Sequence, residues 1–145
     1  MSDQGSLSAL VDERSVKEFS SRLLDLAGLL QAKLHHLSGF DRSFAVSGYG
    51  VLMEVYGLRT RAYILLNDSG SHVVDSLGFS QDELVSLFDR VAVAVRSLEN
   101  LTAVHSIVIS VATFTMSLGA DRGKVVNFLF ESLCDDVARF ESSLF

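Results

Sequence analysis

The sequence predicts an all-α fold, and three observations predict it. No proline occurs among the 145 residues, so nothing forbids long helices, and boundaries must come from Gly, Asn, Asp or Ser. Apolar residues recur at steps of three and four over several segments, the spacing of one helical face. One segment, Thr102 to Leu118, carries no Asp, Glu, Lys or Arg, as expected of a central hydrophobic helix wrapped by amphipathic ones.

Residues 1–13 read as a flexible N-terminus and residues 14–145 as one helical domain. From Ser15, the positions Val16, Phe19, Leu23, Leu26, Leu30, Leu34 and Leu37 form one stripe, and Ser38-Gly39 ends that first helix. Residues 38–50 hold three glycines and three serines and read as a loop. A second helix is expected from Val51 to Leu66, with Val55, Tyr56, Tyr63 and Leu66 on one face and Arg59 and Arg61 on its flanks. Asn67 to Ser71 breaks it.

Ser80-Gln-Asp-Glu83 is a capping box, in which the serine oxygen accepts the Glu83 amide and the glutamate reaches back to the serine amide. Phe79 and Leu84 flank it in the positions of a hydrophobic staple. The helix that follows carries Leu84, Leu87, Phe88, Val91, Val95 and Leu98 on one face and is expected to close at Glu99-Asn100. The β-branched content of Thr102 to Leu118 also allows a buried strand; its length and its helical neighbours favour a helix. Ser and Thr hydroxyls in such a segment bond back to carbonyls of the preceding turn. At about 17 residues it falls short of the roughly 20 that a membrane span needs. Asp121 is the expected cap of a last helix bearing Val125, Phe128, Leu129, Leu133, Val137 and Phe140.

Composition narrows the function. Apolar residues make up 48% of the chain and the mean hydropathy is +0.33, enough for a large core and for an exposed apolar patch or groove besides. The net charge is −6 with a pI near 5.1, and the basic residues are scattered, which argues against nucleic acid as a partner. Nothing at the N-terminus resembles a signal peptide. The lone Cys134 fits a reducing compartment.

The constellations of catalysis are missing. There is no GxGxxG or Walker loop, no HExxH and no paired-cysteine pattern. His35 and His36 are adjacent, so on a helix they point about 100° apart, a poor start for shared metal ligation. Asp135 and Asp136 diverge in the same way, and their charge would raise the thiol pKa of Cys134, against the needs of a nucleophile. No enzyme, metal or cofactor is expected. His105 is the one polar oddity of the central segment.

The run Leu77-Gly-Phe-Ser-Gln-Asp-Glu-Leu-Val-Ser-Leu-Phe-Asp-Arg-Val91 resembles the turn into the fourth helix of the Bcl-2 family, with Phe88 and Val91 at its Phe-x-x-Val positions. Val104-His-Ser-Ile-Val108 falls where that family's central fifth helix opens. Leu52-Met-Glu-Val-Tyr-Gly57 with Arg59-Thr-Arg-Ala-Tyr63 is similar to a degraded BH3-bearing second helix. In order and spacing the chain resembles the short versions carried by large DNA viruses such as iridoviruses. The family's Asn-Trp-Gly-Arg signature is missing, and no C-terminal membrane tail is expected.

The resemblance implies a Bcl-2-like bundle around a central hydrophobic helix, and an anti-apoptotic protein sequestering BH3 helices of host pro-apoptotic proteins, Bim-like or Bak/Bax-like. It implies a groove walled by Val55, Tyr56, Tyr63, Phe88, Val91 and Val95. Arg59 and Arg96 would form a cationic rim, with His105 or Arg96 standing in for the missing groove arginine. It further implies the host cytoplasm, with peripheral attachment to mitochondria through partners, and a homodimer as a second assembly. The alternative is a helical scaffold or adaptor-binding protein acting through homo-oligomerisation or signalling interference without BH3 binding.

Overall fold

A computed structural model describes residues 7–119 and 122–144. These residues form α1 (Glu13–Leu37), α2 (Tyr49–Asn67), α3 (Gln81–Ser97), α4 (Leu101–Met116) and α5 (Gly123–Leu144). A π-turn at Phe44–Gly48 leads into α2, and a 3-10 turn at Ser69–His72 follows it. Among the described residues the only extended pairing is an isolated bridge between Ser8 and Ser80. The chain is all-helical.

Local chemistry sets most of the helix ends. The Asp12 carboxylate accepts the Ser15 amide at 2.8 Å and starts α1, whose seven-residue apolar stripe is buried throughout. The capping box of α3 is formed: Glu83 N donates to Ser80 Oγ at 3.0 Å, and Ser80 N to Glu83 Oε1 at 2.8 Å. Asn100, expected to close α3, instead opens α4 by accepting the Ala103 amide at 2.9 Å. Asp121, the expected cap of α5, lies outside the described residues.

The helices close into a ring. α1 packs between α2 and α3, α5 joins α3 to α4, and α4 returns to α2. Rings from four helices and one loop meet inside. Phe114 of α4 lies 6.1–6.4 Å, centroid to centroid, from Phe19 (α1), Phe88 (α3), Phe130 (α5) and Phe79. Phe19 meets Phe88 edge-on at 5.0 Å, while Phe79 stacks on Phe130 at 3.7 Å. Such geometries add to the burial of the rings themselves.

This ring corrects three expectations. α4 is a helix, with Ser110, Thr113 and Thr115 hydroxyls donating to carbonyls of the turn before, but it is not an enclosed axle. It touches all four other helices, but among the described residues no helix covers its outer side, where Ile109 is 48% and Met116 62% exposed. On α5 the buried stripe is Val126, Phe130, Leu133 and Val137, while Val125 and Phe128 face outward. Both sets keep helical spacing, and the demand for Phe130 beside Phe79 and Phe114 selects the first.

The third correction concerns the N-terminus, since residues 7–12 are not loose. Ala9 N donates to Phe79 O at 3.0 Å and Val74 N to Leu10 O at 2.8 Å. Gln81 gathers this segment: its Oε1 accepts Leu10 N, and its Nε2 donates to Ser15 O and Glu18 Oε1, all at 2.9 Å. Leu10 holds a φ of 58°, a conformation costing roughly 1–2 kcal/mol for a residue with a Cβ, and its complete burial offsets that.

The segment 38–48 is pinned as well. Asp41 accepts from Ser43 N and Oγ, and its other oxygen accepts Leu101 N at 2.9 Å, adding a carboxylate to the start of α4. At Gly48 an added Cβ would lie 2.4 Å from the Phe44 ring, so only glycine lets that ring fold back under the chain.

Two outcomes follow. Phe114→Ala should remove about 3–5 kcal/mol of unfolding free energy, measured by urea denaturation. Hydrogen bonds hold the Asp12 and Asp41 carboxyls below their ordinary value of 3.8, and Arg90 does the same for Glu141. A carboxylate whose pKa is lower folded than unfolded stabilises the fold above the unfolded value and loses this as pH falls through the folded one. The melting temperature should therefore drop as pH falls below about 4, and Asp41→Asn should make the drop shallower.

Candidate functional site

α2 and α4 lie side by side and run in the same direction. Near their starts, His105 Nε2 stands 3.3 Å from the Glu54 carboxylate. Near their ends, Arg61 of α2 donates to the carbonyls of Thr115 and Leu118, at 3.4 and 3.0 Å. Arg61 thereby brings a cation and two further donors to the end of α4, where the helix dipole favours positive charge. Burial pulls its pKa down from the ordinary value, yet a guanidinium stays cationic.

Between these anchors runs an open groove of about 540 Å³. Gly57, Leu58 and Ile64 of α2 form one wall; Ile109, Ala112 and Met116 of α4 form the other, with Thr60 and Thr113 at the rim. α4 contributes no charged residue to it. The only formal charges on the lining are Glu54 at one end and Arg61 at the other. The shape and chemistry suit apolar side chains presented by a helix.

The groove is not the cleft that the sequence predicted. Val55, Phe88, Val91 and Val95 are fully buried; they are core beneath α1 rather than groove wall. Tyr56 and Tyr63 are exposed and share the outward side of α2, turned away from Val55. Arg59 points toward α1, where its Nη2 donates to Gln31 Oε1 at 2.8 Å and its Nε is buried without a partner among the described residues. Arg96 stands on the α1–α3 side, its carbonyl accepting from Lys33 Nζ at 3.0 Å. His105 reaches the groove only through Glu54.

The predicted residues are therefore split between the core, the outer side of α2 and two different helix seams. The reason is closure of the ring: α1 and α3 pack directly together, with Phe19 edge-on against Phe88, and leave Phe88 and Arg96 lining only a pocket of about 200 Å³. Sequence reasoning missed Ile64, Ile109, Met116 and the role of Arg61. A signal was present, because α2 is apolar on nearly every side and α4 keeps Ile109 and Met116 opposite its buried stripe.

Elsewhere the chemistry is sparse. No group of three His, Cys, Asp or Glu among the described residues is placed to hold a metal, and no described helix is long and apolar enough to cross a membrane. Burial, aided by Asp135, Glu83 and Glu131 against the pull of Arg90, pushes the Cys134 thiol pKa up, away from thiolate chemistry.

Since Phe88 is core, Phe88→Ala should act on the fold, lowering stability by about 3–5 kcal/mol in a denaturant titration; an unchanged midpoint would return Phe88 to an open cleft. No family model, curated protein or solved structure matches the chain, so the chemistry of the groove itself carries the functional reading.

Proposed function

We propose that this chain is a non-catalytic interaction module that seats an amphipathic helix of a partner protein in the α2–α4 groove. Its first ligand class is the BH3 helix of a host pro-apoptotic protein, Bim-like or Bak/Bax-like, and its effect is to sequester that helix. One observation carries the reading: Ile64, Ile109 and Met116 stay exposed along a groove between two parallel helices whose only formal charges are Glu54 and Arg61. Helix-in-groove recognition uses such a surface by inserting apolar residues at i, i+3, i+4 and i+7.

The order of elements supports the BH3 class. In this reading the ring is a Bcl-2-like arrangement in which α3, entered through the Phe79–Glu83 capping turn, stands for the family's fourth helix, and α4 for its fifth. The ligand site then lies on the outer side of α4 rather than over Phe88 and Val91. A second reading, a scaffold acting by self-association or by engaging a signalling adaptor, is favoured by the outward side of α2, where Tyr49, Met53, Tyr56 and Tyr63 are exposed.

Titration calorimetry of the full chain with a panel of BH3 peptides tests the first reading. At least one peptide should bind, and Ile109→Glu, a change at an exposed position, should weaken it by about 2 kcal/mol or more. Absence of binding across the panel, or binding indifferent to Ile109→Glu, removes it.

A further inference from the structure

The outward side of α2 is unlike that of a solvated helix. It presents Tyr49, Met53, Tyr56, Thr60, Tyr63 and Ile64, all exposed, with Glu54 and the half-buried Arg61 as the only formal charges at its edge. A helix that faces water on one side keeps that side polar. The exposed positions 49, 53, 56, 60 and 63 step by four and three, the 3.5-residue period of a helix that packs against another helix. The outer positions of α4, Thr102, Ser106, Ile109, Thr113 and Met116, step in the same way and are also exposed.

The two charges along this surface, Glu54 and Arg61, specify its occupant. A helix lying along the groove with its start at the Arg61 end would oppose the dipoles of both parallel walls, the favourable orientation. It would need an acidic residue opposite Arg61 and a basic one opposite Glu54. Glu54 and Arg61 are seven residues apart, or about 10 Å along α2. The required ligand is thus an antiparallel apolar helix with an acid and a base seven residues apart, acid first. α2 itself is such a helix.

We infer that the chain self-associates through α2, packed antiparallel on α2 of a second copy, with Glu54 of each protomer against Arg61 of the other. This deepens the self-association reading and rests on it. A two-fold interface makes each contact twice, so one pair of residues satisfies both ends. The axis falls midway between positions 54 and 61. The outward residue there is Gly57, where an added Cβ would meet nothing within 4 Å in the single chain. A glycine inside an exposed helix weakens it; at the axis it lets two backbones approach. The patch spans about 28 Å, the length of 19 residues of α2, by about 20 Å, the width of two helices. That is roughly 1,100 Å² over both copies, just above the size at which specific interfaces begin. The same contact would cover the α2–α4 groove, so assembly and helix capture would compete.

Sedimentation equilibrium of the full chain should show a dimer with a Kd on the order of tens of micromolar, as suits so small an interface. Glu54→Arg and Arg61→Glu should each be monomeric, and an equimolar mixture of the two should dimerise again, because every cross-contact becomes attractive. Gly57→Glu should also be monomeric while melting at a higher temperature, since it replaces a helical glycine and places two like charges at the axis. Arg61 also holds the end of α4, so Gly57→Glu tests the interface even where Arg61→Glu unfolds. Dimers that persist in both charge variants and in Gly57→Glu would overturn this interface and leave self-association standing. A wild-type chain still monomeric at about 0.5 mM, more than tenfold above the expected Kd, would overturn both.

Discussion

The Phe114 ring is the point at which α1, α3, α4 and α5 meet, and the other features of the chain follow from its position. With Phe19, Phe88, Phe130 and Phe79 around it, one aromatic side chain sets the depth of four helices. Aromatic rings bury large areas and interdigitate with few voids, so the ring of helices closes around them. α2, which brings no phenylalanine to this cluster, is held by α1 and α4. It is also the helix whose outer side is left most apolar.

Polar side chains complete the closure where the backbone runs out of partners. Gln81 satisfies an amide of the N-terminal segment and a carbonyl of α1 from the first turn of α3, joining three parts of the chain distant in sequence. Asp41 ties the 38–48 segment to the start of α4, and Arg61 ties α2 to its end. Buried or half-buried polar groups hold structure when every lone pair or proton finds a partner, and these three are placed where several elements meet. Surface ion pairs such as Arg22 with Asp89 and Arg90 with Glu141 span the same seams, but exposed pairs contribute only about 0–1 kcal/mol.

Closure also decides where a ligand could go. Direct packing of α1 on α3 leaves only a pocket of about 200 Å³ beside Phe88 and Arg96, while the α2–α4 seam carries the larger groove with Glu54 and Arg61 along it. The helix capture and the self-association proposed above would both draw on that surface, because each requires apolar side chains to leave water over the same strip. Under those proposals either occupant would exclude the other, and the concentration of the chain would set ligand access.

Period and end signals were legible in the residues alone. The stripe from Val16 to Leu37 has only one apolar face to bury, and the Ser80–Glu83 box satisfies its own backbone groups, so both are decided within a few turns of chain. α5 and α2 were ambiguous because each carries apolar residues on more than one face, and only neighbouring helices choose between Phe128 and Phe130, or between Val55 and Tyr56. Likewise, the absence of charge from Leu101 to Met116 showed that this helix would be largely buried, not that one side would stay open. Local propensity acts between residues three or four apart; which face is covered depends on helices brought together from distant positions, and that information arises only when the ring closes.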